Sequence, residues 1–403
     1  MKKIFALGIA VVVGVVVCIG PVTSAWAEKP IKVGAIINLT GPASTWGQFH
    51  AKGHQDYFRY VNEVKGGVNG RKIDLTVVDH AYKVPEALKY VKRFTTQDKM
   101  DMLATWDAGS GIQAKPIIQR YKTPCINYST YQGILKPPVD YMYLPFGSYV
   151  MDSQAVLEYI RTIHQGSAPP KVGLLTYNNA YGKSIHEPSK KYAAAHGIDI
   201  VGIEEFPPRT VDLTTELLRL KKAGAEYIFV QILPAAIITA LKGADHIDYK
   251  VPFFGTWTST DPDFFKLGEG LIRDRLFMEF PGGLPVDSAP GVELMMKLAK
   301  KYQNLERFDC SYWEGVVVAM VMERAFQRAD EKFGEVTGEN INKAMETFHN
   351  EEFGGLFPPV TYTSDNHEGS FVGRIVQIHE DATYTPMTNF FVPGKEKVQV
   401  IGK

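Results

Sequence analysis

The chain has 403 residues, with 44 basic and 44 acidic side chains and 45% hydrophobic content. That balance excludes an electrostatic footprint for nucleic acid or an anionic membrane surface, and the apolar content excludes a disordered chain. The length exceeds what one hydrophobic core usually supports, so two domains are expected.

Met1-Lys2-Lys3 is a short positive segment, followed by an almost uncharged apolar run over 4–22 and then by Thr23-Ser24-Ala25-Trp26-Ala27. Small residues at Ala25 and Ala27 complete the layout of a secretory signal peptide over 1–27, cleaved after Ala27. An uncleaved anchor is the alternative, because the run approaches spanning length. The polar, strand-like segment that follows favours cleavage. Val17 stands before Cys18 where a lipid-attachment signal needs a small residue. Export would remove Lys2 and Lys3 and leave 42 basic against 44 acidic residues. Cys125 and Cys310 then remain, either paired in an oxidising compartment or buried as separate thiols. No later stretch is long and apolar enough to span a bilayer.

From residue 31 onward, short apolar runs alternate with amphipathic stretches, as in repeated βαβ units around parallel sheets. Strands are expected over 31–39, 72–78, 100–106 and 125–128, with helices over 47–64, 85–98 and 111–121 between them. A turn over 64–70 contains three glycines. A second set follows Leu144-Pro145-Phe146-Gly147. It has helices over 151–164, 183–196, 213–223 and 235–244, and strands over 171–177, 198–206, 226–232, 252–256 and 276–280. Gly197 and Gly224 stand where two of these helices should stop. Three helices then come together over 291–302, 312–328 and 340–348, before a late strand over 371–379 and an extended tail.

Asn38-Leu39-Thr40-Gly41-Pro42-Ala43-Ser44-Thr45-Trp46-Gly47 closes the first strand, and Gly66-Gly67-Val68-Asn69-Gly70-Arg71-Lys72-Ile73 lies downstream. Together they resemble the type I periplasmic solute-binding proteins of ABC importers, within the branched-chain amino-acid (Leu/Ile/Val) binding family. The resemblance runs from about residue 31 past Phe280 and more loosely through the C-terminal helices. It implies an α/β fold of two Rossmann-like lobes with parallel-rich sheets and three hinge crossings, placed near Gly147, Glu279 and Pro358. Lobe 1 would comprise 28–147 with 280–358, and lobe 2 would comprise 148–279 with 359–403. It further implies a periplasmic protein that closes around a small molecule and presents it to a membrane permease and its ATPase. A monomer without cofactor or metal is the expected form.

Carried over position by position, the resemblance implies ligand contacts at Trp46, before the glycine of the first helix, and in the loop Asp107-Ala108-Gly109-Ser110-Gly111 after Trp106. That loop precedes a helix, where N–H groups and the dipole favour an anion, although Ser110 is also an ordinary helix cap. Ser129, Thr130 and Tyr131 occupy the next loop, and Tyr149 opens the second set. In the second lobe Asn178-Asn179-Ala180-Tyr181-Gly182 fits the family's strand-to-helix loop, with Tyr181 as the contact. The next loop, tyrosine-rich in amino-acid binders, is Gln231-Ile232-Leu233-Pro234 here, with Leu233 as its candidate contact. The family's acid for an α-amino group falls near Phe254-Gly255-Thr256-Trp257-Thr258, where Trp257 replaces it. A buried ammonium without an anion is costly, so an aromatic or other hydrophobic carboxylate is the expected ligand. Asp107 argues the other way: if it points into the cleft, a cation, amide or amino acid returns, and Asp261 or Asp263 could serve as a displaced acid.

Enzyme signatures are missing. The residue two before Ser110 is Ala108, not the glycine of a nucleophile elbow, and there is no phosphate loop or dinucleotide fingerprint. His50 and His54 are four apart on one helix but lack the adjacent Glu or a clear third ligand for a metal, so they read as surface histidines. A sensory module signalling to a partner protein is the alternative to transport, and a small-amide hydrolase is a third reading.

Overall fold

A computed structural model of the chain describes residue 1, residues 29–395 and residues 397–401. Apart from Met1, the expected signal peptide over 1–27 lies outside the described residues. Among the described residues no helix is long and apolar enough to cross a membrane.

The first lobe is built from β1 (Ile31–Ile37), α1 (Ser44–Glu63), β2 (Ile73–Asp79), α2 (Val84–Arg93), β3 (Met102–Thr105), α3 (Ala108–Tyr121), β4 (Cys125–Asn127) and β5 (Met142–Tyr143). Its strands pair in parallel in the order β2-β1-β3-β4-β5. Val33, Ala35, Ile36 and Ile37 are all buried, because helices cover both faces of a parallel sheet. β5 has only two residues and carries too little pattern to be read from sequence.

The second lobe repeats the plan. It contains α4 (Tyr149–Ile163), β6 (Lys171–Tyr177), α5 (Ala180–Lys183), α6 (His186–His196), β7 (Asp199–Phe206), α7 (Thr214–Lys222), β8 (Tyr227–Gln231), α8 (Pro234–His246), β9 (Phe253–Gly255), α9 (Pro262–Leu267) and β10 (Leu276–Phe280). The strand order β7-β6-β8-β9-β10 matches that of the first lobe, so each sheet has a switch point where neighbouring crossovers run in opposite directions. The helix expected over 183–196 is preceded by the single turn α5, which Asn179 caps by accepting from Gly182 N at 3.0 Å.

After β10 the chain returns to the first lobe as α10 (Pro290–Gln303), α11 (Cys310–Phe333) and α12 (Gly338–Met345). It then re-enters the second lobe as β11 (Arg374–Ile378) and β12 (Tyr384–Pro386), which add antiparallel to β10 and to each other. α1 lies against α11 at very close range. A Cβ on Gly53 would collide with the Tyr312 carbonyl, and one on Gly315 would collide with the His50 carbonyl. These two glycines bring His50 of α1 and Glu314 of α11 together.

The chain crosses between lobes through 144–148, 281–289 and 367–373. The third passage comes later than the position near Pro358 expected from the resemblance. Residues 359–366 stay with the first lobe because Tyr362 packs there, donating from Oη to Leu144 O at 2.8 Å and from its backbone N to Phe348 O. Ser148 N of the first crossing donates to Glu368 Oε1 of the third at 2.7 Å. Beside them, buried Asp152 of α4 and Glu279 of β10 lie together, and burial pushes both carboxyls well above the usual carboxylate range. Cys125 and Cys310 are separate, free and buried.

Candidate functional site

The loops at the carboxyl ends of the parallel strands of both lobes converge on a cavity of about 230 Å³. From the first lobe come Trp46 (following β1, on α1), Trp106, Asp107 and Gly109 (following β3) and Ser129 (following β4). From the second come Tyr149 at the start of α4, Tyr181 of α5, Leu233 before α8 and Trp257 after β9. The structure thus places nine of the residues singled out in the sequence around one space. Trp46 and Trp257 approach across the cleft, with ring centroids 6.0 Å apart, and they are only 2% and 1% exposed. Tyr149 stacks on Trp257 at 6.2 Å, and Tyr181 meets Tyr149 edge-on at 5.1 Å. The two lobes also touch through Thr45, whose hydroxyl donates to Asp263 Oδ2 at 3.0 Å.

The polar groups of this cavity are arranged differently from the expectation. Asp107 is the N-cap of α3, and its carboxylate accepts from Ser110 N at 2.8 Å and from the Ser110 hydroxyl. Ser110 is fully buried and its donors are used by Asp107, so it does not line the cavity. Thr130 and Tyr131 are likewise not brought to the lining. Thr130 is buried, and its carbonyl accepts from Tyr149 N at 3.1 Å, which positions the tyrosine, while Tyr131 packs against the hydrophobic core. Asp261 and Asp263 line a neighbouring cavity of about 150 Å³ instead, which shares Trp46, Tyr82 and Leu233 with the first.

Sequence reasoning missed His50, Tyr82, Tyr128, Asn179, Thr258 and Glu314, all of which line the cavity. His50 and His54 are buried, not on the surface, because α1 is sandwiched between the first sheet and α11. The Trp106 indole N–H donates to His50 Nδ1 at 2.7 Å. An indole nitrogen is a donor only, so the His50 proton sits on Nε2, which faces Glu314 Oε2 in close contact. Burial pushes His50 well below the usual histidine range and Glu314 well above the carboxylate range. His50 is therefore neutral at pH 7. His54 Nδ1 pairs with the Tyr128 hydroxyl at 2.6 Å, and burial pushes the imidazole down to about 3. Among the described residues no group of three or more His, Cys, Asp or Glu side chains could hold a metal ion. The signal for His50 was its spacing: four residues after Trp46, it shares a face of α1.

This arrangement can enclose a small, largely flat molecule. It offers aromatic faces, two carboxyl groups and a few neutral hydrogen-bonding groups, and no Lys or Arg lines it among the described residues.

The family described as periplasmic binding protein matches residues 30–383. A Leu/Ile/Val-binding protein homolog 7 from Brucella suis biovar 1 (strain 1330) is 22% identical over 289 residues, covering 68% of this chain and 71% of that protein. Among solved structures, a branched chain amino acid ABC transporter from Thermus thermophilus with bound valine superposes with a TM-score of 0.83 at 24% identity. That match covers 91% of this chain and 97% of the other. A fatty acid ABC transporter substrate-binding protein from Thermomonospora curvata superposes with a TM-score of 0.84 at 19% identity, covering 93% and 96%. With two matching α/β lobes, a cavity between them and a family match spanning most of the chain, this protein belongs to the periplasmic binding protein family, a family of substrate-binding proteins and not of enzymes.

Proposed function

We propose that this chain is the extracytoplasmic binding component of an ABC importer, closing its two lobes on a small solute with a flat aromatic or compact apolar body. The permease and its ATPase would receive the closed form. The observation that carries this reading is the cavity between the lobes, where Trp46 and Trp257 face one another from opposite sides. A solute seated there touches both lobes at once and so shifts an open–closed equilibrium toward closure. Aromatic walls also suit flat solutes, since stacking adds to the gain from burial.

The cavity volume falls below the range usual for drug-sized ligands, which favours a small solute. A long acyl chain of the kind named for the Thermomonospora curvata protein would need more room. The valine of the Thermus thermophilus structure is small enough, but its ammonium partner would have to be Asp107 or Glu314, because position 257 is a tryptophan. A carboxylate, as expected from the sequence, would meet no basic side chain and would find the Ser110 donors engaged by Asp107.

A thermal-shift panel of branched-chain amino acids, aromatic acids, aromatic amides, amines and urea tests the reading. Ligand binding to the folded state alone raises the midpoint by mass action, by about 2.7 kcal/mol of stability at a hundredfold excess over Kd. One class should raise the midpoint in a concentration-dependent way. A panel in which no class does so contradicts the proposal.

A further inference from the structure

We infer that the cleft selects a small organic cation with an aromatic or branched body, with Asp107 as its anionic partner and the surrounding rings as its cage. This deepens the binding reading above and rests on it.

The first support is the sign of the lining. The ionisable side chains at the cavity include two acids, Asp107 and Glu314, with no Lys or Arg among the described residues. His50 cannot balance an anion there. Its Nδ1 accepts from Trp106 and its Nε2 faces Glu314, so it is held neutral inside the wall. A carboxylate in this space would lose its hydration and gain no opposite charge, which is the costly case for a buried ion.

The second support is the direction of the polar tips. The Trp106 N–H points at His50, the Tyr128 hydroxyl pairs with His54, and the Tyr181 hydroxyl pairs with Thr258 Oγ1 at 2.6 Å. Each ring therefore spends its polar end on the protein, and its negatively charged π face is what remains for a ligand. Rings from both lobes, including Trp46 and Trp257, supply such faces, and a cation within about 6 Å of a ring centroid is attracted to them.

The third support is Asp107 itself. Its backbone is extended at the N-cap of α3 and its side chain is fixed by two bonds from Ser110, so its position is set before ligand arrives. A pre-positioned acceptor saves the ordering cost that a free side chain would bring to binding.

Titration calorimetry of the mature chain with benzylammonium, benzyl alcohol and benzoate tests the inference, since the three share a phenyl ring and differ mainly in charge. Benzylammonium should bind at least about tenfold more tightly than either of the others, a difference of 1.4 kcal/mol. Asp107→Asn keeps a residue able to cap α3 and should lower benzylammonium affinity about tenfold, with benzyl alcohol unchanged. The comparison on the unaltered chain stands even where the variant does not fold. Tighter binding of benzoate than of benzylammonium overturns the inference. So does a folded Asp107→Asn protein with full affinity for the cation, and so does failure of benzylammonium to bind. If the cation fails while another solute of the wider panel stabilises the chain, only the cation assignment falls. If every solute fails, the binding reading falls with it.

Discussion

Asp261 gives a prediction whose size follows from its surroundings. Its side chain caps α9, accepting from Phe264 N at 2.8 Å, and burial pushes the carboxyl up from 3.8 to about 7, with Asp309 and Asp263 adding repulsion. A carboxyl whose folded value is raised contributes stability that is complete below the unfolded value and is lost as pH climbs through the folded one. With 3.8 unfolded and about 7 folded, that contribution is about 1.4 kcal/mol at pH 6 and close to zero at pH 8. Asp261→Asn preserves a capping side chain and removes the titration. The variant should therefore gain about 1.4 kcal/mol on the wild type between pH 6 and pH 8. Buried His54 and His367, pushed down to about 3 and about 4, act in the opposite sense on each protein. They take up protons on unfolding as pH falls through their unfolded value, but they cancel in the difference between variant and wild type. Urea unfolding at pH 6, 7 and 8 reads that difference from the shift in midpoint at constant slope. A gap between variant and wild type that does not change with pH would refute the burial argument.

Three further outcomes follow from packing. Trp257→Ala empties a site that is 1% exposed and ringed by Trp46, Phe146, Tyr149 and Trp313, so it should cost about 3–5 kcal/mol in urea unfolding and abolish solute binding. Gly315→Ala places a methyl group against the His50 carbonyl and should cost about 1–3 kcal/mol while weakening solute binding, because α1 and α11 must separate. Cys125 and Cys310 should resist a thiol reagent in the folded protein and react in denaturant, since burial pushes the Cys125 thiol up to about 12 and raises that of Cys310 further. Rapid labelling of the native chain would contradict this.

The alternation of apolar runs and amphipathic stretches is enough to read both sheets, because central strands such as β1, β3, β6 and β8 are almost wholly buried while helices such as α2 and α7 bury a single face. The short elements escaped. β5 and α9 are held by their neighbours and carry no periodicity of their own. Tyr362 and its neighbours are held to the first lobe through contacts distant in sequence, which no local pattern announces. Trp46, Trp106, Tyr149, Tyr181 and Trp257, singled out with the help of the family resemblance, all line the cavity between the lobes. Ser110 was not separable from a cap by sequence, and the structure gives its donors to Asp107. Glu314 was hidden within the apolar run of α11, and its approach to His50 depends on two glycines, Gly53 and Gly315, that lie on different helices. Such a pairing has no local signature.

The most direct test of the clamp is a crystal structure of the mature chain with its most stabilising solute. The account predicts one molecule of solute in the cavity lined by Trp46 of the first lobe and Trp257 of the second, with Asp107 within reach of its polar end. Solute bound outside this cavity, or held by one lobe alone, would contradict it.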